Sequence, residues 1–258
     1  MSQIVTVIGA SGHIGLSLVN LLLKGSVTVR AVGQNQSKLA PLAKQGAVIH
    51  AGTLDDTAFV TETLRGAGAA FLMIPPHYNA PDMRADQRRL GASLIEAAKQ
   101  SGIKRVVVLS SLGAGLPSGT GPIAGLHEFE NAVRNVAGLS SMILRCAYFM
   151  ENHLGSIALI KNGGINGSSM RADSALPMVA ARDIAAVAAE VLSAPAFTGH
   201  TPREVLGPRD YTLREATLIL GAAIGKPDLV YTQFPDGEFK KGLESAGFLP
   251  TPRAISWK

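Results

Sequence analysis

The sequence predicts an α/β protein of the Rossmann type, with a doubly wound parallel sheet and a smaller C-terminal α/β lobe. Three observations support this fold class. Short β-branched runs alternate with helical segments along the first half of the chain, and a glycine-rich stretch, Gly9–Gly15, lies between the first strand and the first helix. The 258 residues are 47% hydrophobic and only 17% charged, which excludes a disordered chain.

The first half of the chain alternates predicted strands with predicted helices. Gln3–Ile8 is a β-branched run typical of a strand, and Leu16–Leu23 carries leucines at helical spacing. Gly25 then predicts a left-handed residue that ends this helix. Because parallel strands need crossover connections, the alternation predicts a parallel sheet. The elements that follow are strand Val27–Val32, a helix from Ser37, strand Ala47–His50, helix Asp56–Leu64, strand Ala69–Ile74, helix Asp82–Gln100, strand Arg105–Leu109, helix Leu126–Val136 and strand Ser140–Leu144.

The pattern becomes less regular from about residue 150, where glycine pairs interrupt the chain. Thr212 and Glu215 form a capping-box pattern that indicates the start of a helix. We expect a Rossmann domain over residues 1–150 and a smaller substrate or partner lobe over residues 151–258, interleaved with it in one compact unit. The elements predicted in this lobe are strand Ala175–Val179, helix Arg182–Leu192, helix Thr212–Ala223 and strand Asp228–Thr232.

The glycine-rich stretch has the pattern G-x-x-G-x-x-G directly after a predicted strand and at the opening of a helix. In such a loop one glycine forms the turn, one lets the backbone approach a pyrophosphate, and one lets the helix pack on the strand. The N-terminus of the helix then directs free N–H groups at the phosphates. The pattern predicts a dinucleotide site. The residues assigned to it are Gly9, Ser11, Gly12, His13, Ile14 and Gly15.

The choice of cofactor follows from charge. Residues 1–54 contain no Asp or Glu, and they carry four of the five net positive charges of the chain. A site that prefers NAD usually has an acidic residue about 20 positions beyond the glycines. That region contains Gln34, Asn35 and Lys38 instead, and these residues would tolerate a 2′-phosphate. NADP(H) is the favoured cofactor, and NAD(H) stays an alternative.

Composition also argues against several other classes of protein. The basic residues form pairs at most, without helix-turn-helix or zinc-finger spacing, so no nucleic acid is expected as a partner. No apolar run approaches the roughly 18 residues of a membrane span. A single cysteine and scattered histidines give no metal-ligand spacing. The lone cysteine and the lack of a signal-peptide pattern predict a cytoplasmic protein. A homodimer is left open.

An ordered series of segments resembles the NmrA-like branch of the atypical short-chain dehydrogenases, over nearly the whole chain. The resemblance implies an NAD(P)-binding protein, because that family includes quinone and azo reductases as well as cofactor-binding regulators. The sequence departs from it at Gln34, Thr53 and His127, where relatives often carry Arg, Asp and, nearby, Lys. The segments are GASGHIG, VRAVGQNQSKL, AGTLDD, FLMIPP, SGIKRVVVLSSLGA, LRCAYFMEN, PMVAARDIAAVAAEVL and VLGPRDYTLREATLIL.

The loops that follow the predicted parallel strands should converge at one edge of the sheet, where ligands of such sheets bind. Ser110 and Ser111 end one strand, and we expect them either beside the nicotinamide or as caps of a turn. The resemblance implies that Tyr148, Phe149 and Asn152 face the nicotinamide, with core packing as the alternative for the two aromatic residues. The other residues assigned to the cofactor at this edge are Thr53, Leu54, Ile74, Pro75 and Pro76.

The sequence lacks the Tyr-x-x-x-Lys pair that serves ordinary alcohol–ketone chemistry in related enzymes. Hydride transfer to a quinone has little need of such an acid, because the developing oxyanion is delocalised and water can supply a proton. His127 and Tyr148 are the candidate proton donors, with a surface histidine as the alternative for His127. The favoured function is hydride transfer from NADPH to a quinone-like or other electron-poor small molecule. The alternative is a non-catalytic regulator that senses NAD(P) and binds a protein partner.

Overall fold

The structure is a computed structural model that describes residues 3–77, 80–194 and 197–245. Its contacts divide the chain into two compact units. Unit 1 comprises Met1–His77, Met83–Cys146 and Ala181–Val205, and unit 2 comprises Tyr78–Asp82, Ala147–Ala180 and Leu206–Lys258. Residues 181–205 therefore belong to the same unit as the first part of the chain, although they lie beyond residue 150, where the sequence analysis placed the end of the Rossmann domain.

Unit 1 is built on a seven-stranded parallel sheet. Its strands are β1 (Ile4–Ile8), β2 (Thr28–Gly33), β3 (Val48–Ala51), β4 (Ala69–Leu72), β5 (Arg105–Ser111), β6 (Ser140–Cys146) and β10 (His200–Val205). They lie in the order β10-β6-β5-β4-β1-β2-β3, and every neighbouring pair is parallel. This order is that of a doubly wound Rossmann sheet with one further strand at its edge, so the predicted fold class is confirmed.

Helices cover both faces of this sheet. They are α1 (His13–Leu22), α2 (Gln36–Lys44), α3 (Thr57–Leu64), α4 (Met83–Ser101), α5 (Ala124–Arg134) and α7 (Ala181–Ser193). One layer is formed where α3, α4 and α5 pack side by side, and another where α1 packs on α7. Leu90 and Leu94 of α4 are buried against Val106 and Val108 of β5. Each such leucine contributes about 1.5–3 kcal/mol through burial.

Unit 2 contains short elements. They are β7 (Tyr148–Phe149), β8 (Ile165–Ser168), β9 (Leu176–Val179), β11 (Asp210–Tyr211), β12 (Val230–Gln233), α6 (Ile157–Gly163), α8 (Leu213–Ala223) and α9 (Asp236–Ser245). The strands form two small sheets, β11-β9-β7 and β12-β8. The predicted capping box is confirmed, because the backbone N–H of Glu215 donates to the Thr212 hydroxyl at 3.0 Å and the N–H of Thr212 donates to the Glu215 carboxylate at 2.8 Å.

Several element bounds differ from the sequence prediction by a few residues, and three differences concern the first helix and strand β5. Helix α1 begins at His13, earlier than expected, so Gly15 lies inside the helix. The prediction that Gly25 is left-handed is wrong. The residue that caps the end of helix α1, Leu23, has a right-handed conformation, and the N–H of Gly25 donates to the carbonyl of Leu22 at 3.0 Å. Strand β5 continues through Ser111, since both serines stay in register with β6.

Candidate functional site

The glycine loop is a fixed turn between β1 and α1. Gly9 has φ +75°, a left-handed conformation that favours glycine, and a side chain there would meet the Met73 sulfur, 2.9 Å from its Cβ. The N–H of Gly12 donates to the Gly9 carbonyl at 3.0 Å, and the N–H of Ala10 donates to the Val32 carbonyl at 2.9 Å. The first bond closes the turn, and the second ties the loop to the carboxyl end of β2.

Gly15 and Gly12 serve different purposes. A Cβ at Gly15 would lie 2.2 Å from the Gly9 carbonyl oxygen, so this glycine lets α1 pack against the turn. A Cβ at Gly12 would have only that same oxygen near it, at 3.4 Å, and Gly12 is exposed in an ordinary extended conformation. The fold itself therefore does not require glycine at position 12. The space in front of it suits a ligand that approaches the backbone.

The start of α1 is open to an anion. Gly12 is its N-cap and supplies no side-chain hydrogen bond, and the first turn contains no acidic residue. The first N–H groups of a helix lack partners within the helix, and the helix dipole places partial positive charge there. His13 is exposed, whereas Ile14 is buried in the core, so Ile14 would meet a ligand through its backbone alone. This geometry fits a pyrophosphate.

The end of β2 lies beside this loop. A Cβ at Gly33 would be 3.4 Å from the Ser11 hydroxyl oxygen, and the next residues, Gln34 and Lys38 among them, are exposed. The Asn35 side chain has a structural task. Its Oδ1 accepts hydrogen bonds from the Ser37 hydroxyl at 2.6 Å and from the N–H groups of Ser37 and Lys38, and so caps α2. Gln34 and Lys38 remain as the side chains that could face a 2′-phosphate.

The loops after β3 and β4 supply mostly backbone. Leu54 and Ile74 are each 7% exposed and belong to the main core cluster, so only their main-chain atoms would contact a cofactor. Thr53 is exposed, and its hydroxyl accepts the N–H of Asp55 at 3.3 Å. Of Pro75–Pro76, the first is half-buried and the second is exposed.

A chain of ion pairs joins these two loops through α4. Asp55, the first acidic residue of the chain, pairs with Arg89, and Arg89 also bonds to Asp86. Asp86 in turn accepts the Nδ1–H of His77 at 2.8 Å. The negative charge of Asp55 is thus balanced by Arg89. Residues 3–55, which include the glycine loop, therefore contain no acidic side chain without a partner.

At the end of β5, the Ser110 side chain belongs to a buried polar network. Ser110 is 3% exposed, and its hydroxyl donates to Glu130, itself 1% exposed, at 2.6 Å. Arg145 binds the same carboxylate with two bonds, of 3.1 and 2.6 Å, and Arg134 adds a third contact at 3.1 Å. The bonds to Glu130 raise the pKa of the Arg145 guanidinium. The Ser110 side chain therefore has a partner inside the fold, whereas Ser111 is half-buried.

His127 is held by hydrogen bonds at both ring nitrogens. Its Nδ1 lies 2.8 Å from the Ala114 carbonyl oxygen, and its Nε2 lies 2.9 Å from the amide nitrogen of Asn131. A carbonyl can only accept, so Nδ1 carries the proton and Nε2 accepts from Asn131. The ring of His127, which is half-buried in the first turn of α5, connects this helix to the loop after β5.

The remaining candidates lie in unit 2. Tyr148 and Phe149 form β7 and are half-buried, and Asn152 is exposed. The Tyr148 ring packs on the small core of unit 2 and meets the His153 ring edge-on, with centroids 5.8 Å apart. Burial lowers the pKa of His153, so its imidazole is neutral near pH 7.

Sequence reasoning missed several residues that organise these regions: Met73, Glu130, Asn131, Arg145 and His153. One signal was available for part of the set. His127, Glu130, Asn131 and Arg134 recur at i, i+3, i+4 and i+7, so they form a polar stripe along one side of α5. Such a stripe indicates a shared hydrogen-bond network. Met73 and Arg145 gave no comparable signal.

Other chemistry is not supported among the residues that the structure describes. They contain no group of three His, Cys, Asp or Glu side chains placed to hold a metal ion. No helix among them is long and apolar enough to cross a membrane. Cys146 is fully buried, and burial raises the pKa of its thiol to about 12, so it stays protonated and is a poor nucleophile.

The parallel sheet, the fixed glycine turn and the open helix start define a nucleotide-binding protein of the Rossmann class. The NmrA-like family model matches residues 1–256, and the chain belongs to that family. The family prediction made from the sequence segments is thus confirmed.

Several known proteins of similar sequence and structure are reductases. The chain is 28% identical over 225 residues to an NAD(P)H azoreductase from Xenophilus azovorans, covering 86% of this chain and 74% of the azoreductase. It superposes with TM-score 0.79 and 26% identity on the NADPH complex of the NADPH-dependent quinone oxidoreductase QOR2 from Escherichia coli, covering 96% and 84% of the two chains. The NADP(H) complex of a Citrobacter triphenylmethane reductase shares the fold, with TM-score 0.78 at 24% identity over 96% and 85%.

Proposed function

We propose that this NmrA-like protein is an NADPH-dependent oxidoreductase that transfers a hydride to a quinone-like or other electron-poor small molecule. The observation that carries cofactor binding is the space at Gly12, in front of the uncapped start of α1. The azoreductase and the quinone oxidoreductase each match most of this chain, which supports the enzyme over the regulatory alternative.

The residues present fit NADPH. Backbone groups of Ser11, Gly12 and His13 would hold the pyrophosphate at the start of α1. The exposed side chains of Gln34 and Lys38 would lie near the 2′-phosphate, where a lysine attracts it and an amide donates to it. The pairing of Asp55 with Arg89 removes the nearest acid from competition. The NADPH complex of the quinone oxidoreductase neighbour supports the same preference.

The chemistry asks little of acidic side chains. Bound NADPH would supply the hydride, and a proton from water would complete reduction of a quinone to its hydroquinone. The chain then has to hold the two reactants in order and at short distance, which is itself a large source of rate. The absence of a Tyr-x-x-x-Lys pair is compatible with that task.

We also assign recognition of the acceptor to the smaller lobe predicted over residues 151–258. Its support is the small core of unit 2, where the partly buried Met170, Tyr211 and Tyr231 pack on Met178 and Leu213. Tyrosine rings and thioethers form favourable contacts with flat aromatic molecules. A quinone or an aromatic dye has that shape.

The test is NADPH oxidation by the purified protein, with a panel of small quinones and azo dyes, compared with NADH as donor. We expect turnover above the rate in buffer, with NADPH used at least as well as NADH. Protein that binds NADPH tightly yet oxidises it no faster than buffer, across the whole panel, would contradict the enzyme and support the regulator.

A homodimer and a cytoplasmic location remain predictions of the same proposal. The single, buried Cys146 is compatible with a reducing compartment. Light scattering on the purified protein tests the dimer, and fractionation of the source cells tests the location.

A further inference from the structure

We propose that His127 is a positioning residue, which holds the loop after β5 by donating a hydrogen bond to the Ala114 carbonyl, and that it is not the proton donor of the reaction. This inference rests on the proposed oxidoreductase function. It replaces the proton-donor role that the sequence suggested for His127.

The first step of the argument is the state of Nε2. The Oδ1 atom of Asn131 accepts a hydrogen bond from Arg134 at 3.2 Å, so the amide of Asn131 must direct its N–H group at His127. Nε2 of His127 therefore accepts that N–H and carries no proton. A proton donor would need its proton on Nε2, since Nδ1 is committed to the Ala114 carbonyl.

The second step is the anchor behind the histidine. Arg134 bonds both to Asn131 and to the buried carboxylate of Glu130, which also binds Ser110 and Arg145. The chain of hydrogen bonds thus runs from the middle of the sheet to the ring of His127. The Glu130 end of this chain is buried, whereas Asn131 is exposed. The orientation of the imidazole is set by its two hydrogen bonds, one to the Ala114 carbonyl and one to Asn131.

The third step is what the ring holds. Ala114 is completely buried, and its N–H donates to the Ser111 carbonyl at 3.1 Å, so the loop turns sharply off the end of β5. The guanidinium of Arg145 packs under the next residue, because a Cβ at Gly115 would lie 2.9 Å from its Nη1. His127 and Arg145, which belong to the same network, therefore contact two adjacent residues of the loop, Ala114 and Gly115.

The loop after β5 lies where a ligand is expected, so the bond from His127 to Ala114 bears on ligand binding. Ligands of open parallel sheets bind outside the carboxyl ends of the strands, and β5 is an inner strand of this sheet. Loss of the bond to Ala114 should loosen the loop and weaken binding of the acceptor, while the chemical step stays nearly as fast.

The experiment compares His127→Ala with His127→Asn. An asparagine amide can donate to the Ala114 carbonyl from about the place of Nδ1, but it cannot act as an acid near neutral pH. We expect His127→Ala to raise the Michaelis constant for a small quinone about tenfold with little change in kcat, and His127→Asn to recover most of that loss. The pH dependence of kcat should be the same in wild type and His127→Asn.

A second readout does not depend on turnover. Amide hydrogen exchange over residues 112–117 should be about tenfold faster in His127→Ala and close to wild type in His127→Asn. Glu128→Gln is the matched control, since Glu128 lies on the same helix and pairs with Arg84 and Arg88 instead. It should leave the exchange of this loop unchanged.

The outcomes separate the two proposals. If both His127 variants lose kcat equally and the wild-type pH dependence of kcat disappears in both, His127 is the proton donor and the positioning role is wrong. Unchanged loop exchange in His127→Ala would also overturn it. If wild type shows no turnover at all, the oxidoreductase proposal fails, and the exchange experiment still decides whether His127 holds the loop.

Discussion

The glycine loop and the polar network of α5 lie in the same unit and are organised by opposite means. The loop depends on the absence of side chains, with Gly9 and Gly15 admitting close backbone contacts and Gly12 leaving open space. The network depends on side chains, with the carboxylate of Glu130 buried and bound by Ser110, Arg145 and Arg134.

This difference determines how each region responds to change. A backbone site can lose its ligand while the fold remains, because its central glycine has no packing role. A buried charge network cannot lose its centre without leaving its partners unsatisfied. The first region is therefore suited to binding, and the second to fixing the shape of the sheet edge around it.

The largest effect is expected for Glu130→Ala. Removal of the buried carboxylate leaves the guanidinium groups of Arg145 and Arg134 without their main partner, and breaking such a pair costs about 3–5 kcal/mol. Chemical denaturation measures the loss. Glu128→Ala on the same helix is the control, since its pairs with arginines are exposed and should contribute under about 1 kcal/mol. Equal losses in the two variants would contradict the contrast.

Gly15→Ala comes next. The added methyl group would lie 2.2 Å from the Gly9 carbonyl oxygen, so α1 or the turn must move. Such overpacking costs about 1–3 kcal/mol, measurable by denaturation. A Gly15→Ala protein as stable as wild type would mean that the turn has more freedom than the contacts indicate.

The fold was largely predictable from the sequence, because local signals carried it. β-branched runs, helical spacing and one glycine loop were sufficient for six of the seven strands of the sheet of unit 1 and for the helices beside it. Strand β10 and the short elements β7, β8, β11, α6 and α9 were missed. Strands of two to six residues have little periodicity, and the two helices are short, with 7 and 10 residues. The pairing of β10 with β6 joins segments about 60 positions apart.

In the candidate site, too, the features that depend on local sequence were predictable and those that depend on distant residues were not. The glycine positions could be assigned because their spacing determines the turn, whereas the partners of Ser110 and His127 depend on distant residues. The burial of Leu54 and Ile74, and the use of Asn35 as a helix cap, were likewise decided by tertiary packing and local capping. Sequence spacing indicates which backbone approaches a ligand better than it indicates which side chain does.

Substitutions at Gln34 sharpen the account of the cofactor. Gln34→Arg should strengthen NADPH binding about tenfold relative to NADH, because a guanidinium forms charge-assisted bonds to a phosphate. Gln34→Asp should shift the preference toward NADH by a similar factor through repulsion. Calorimetric titration with both cofactors measures the ratio. Wild-type protein that binds NADH far more tightly than NADPH would refute this reading of the loop.

The smallest effect concerns pH and unit 2. Burial lowers the pKa of His153, so the folded protein keeps it neutral while the unfolded chain takes up a proton as pH falls through about 6.5. The stability from this residue is thus present above that pH and is lost below it. His153→Phe should lose less stability than wild type between pH 7 and 5 in denaturation experiments. Parallel losses would contradict this role of His153. His50, whose pKa burial and Arg30 also lower, would then be the next histidine to replace.

The most direct test of the central claim is calorimetric titration of NADPH into wild type and Gly12→Val, with circular dichroism to confirm the fold. A Cβ at Gly12 would meet only the Gly9 carbonyl oxygen, at 3.4 Å, and the side chain would occupy the space assigned to the pyrophosphate. We predict that Gly12→Val retains its secondary structure and binds NADPH about 100-fold more weakly or not at all, a loss typical of a blocked anion site. Unchanged affinity in a folded Gly12→Val protein would contradict the claim and make the loop a structural turn.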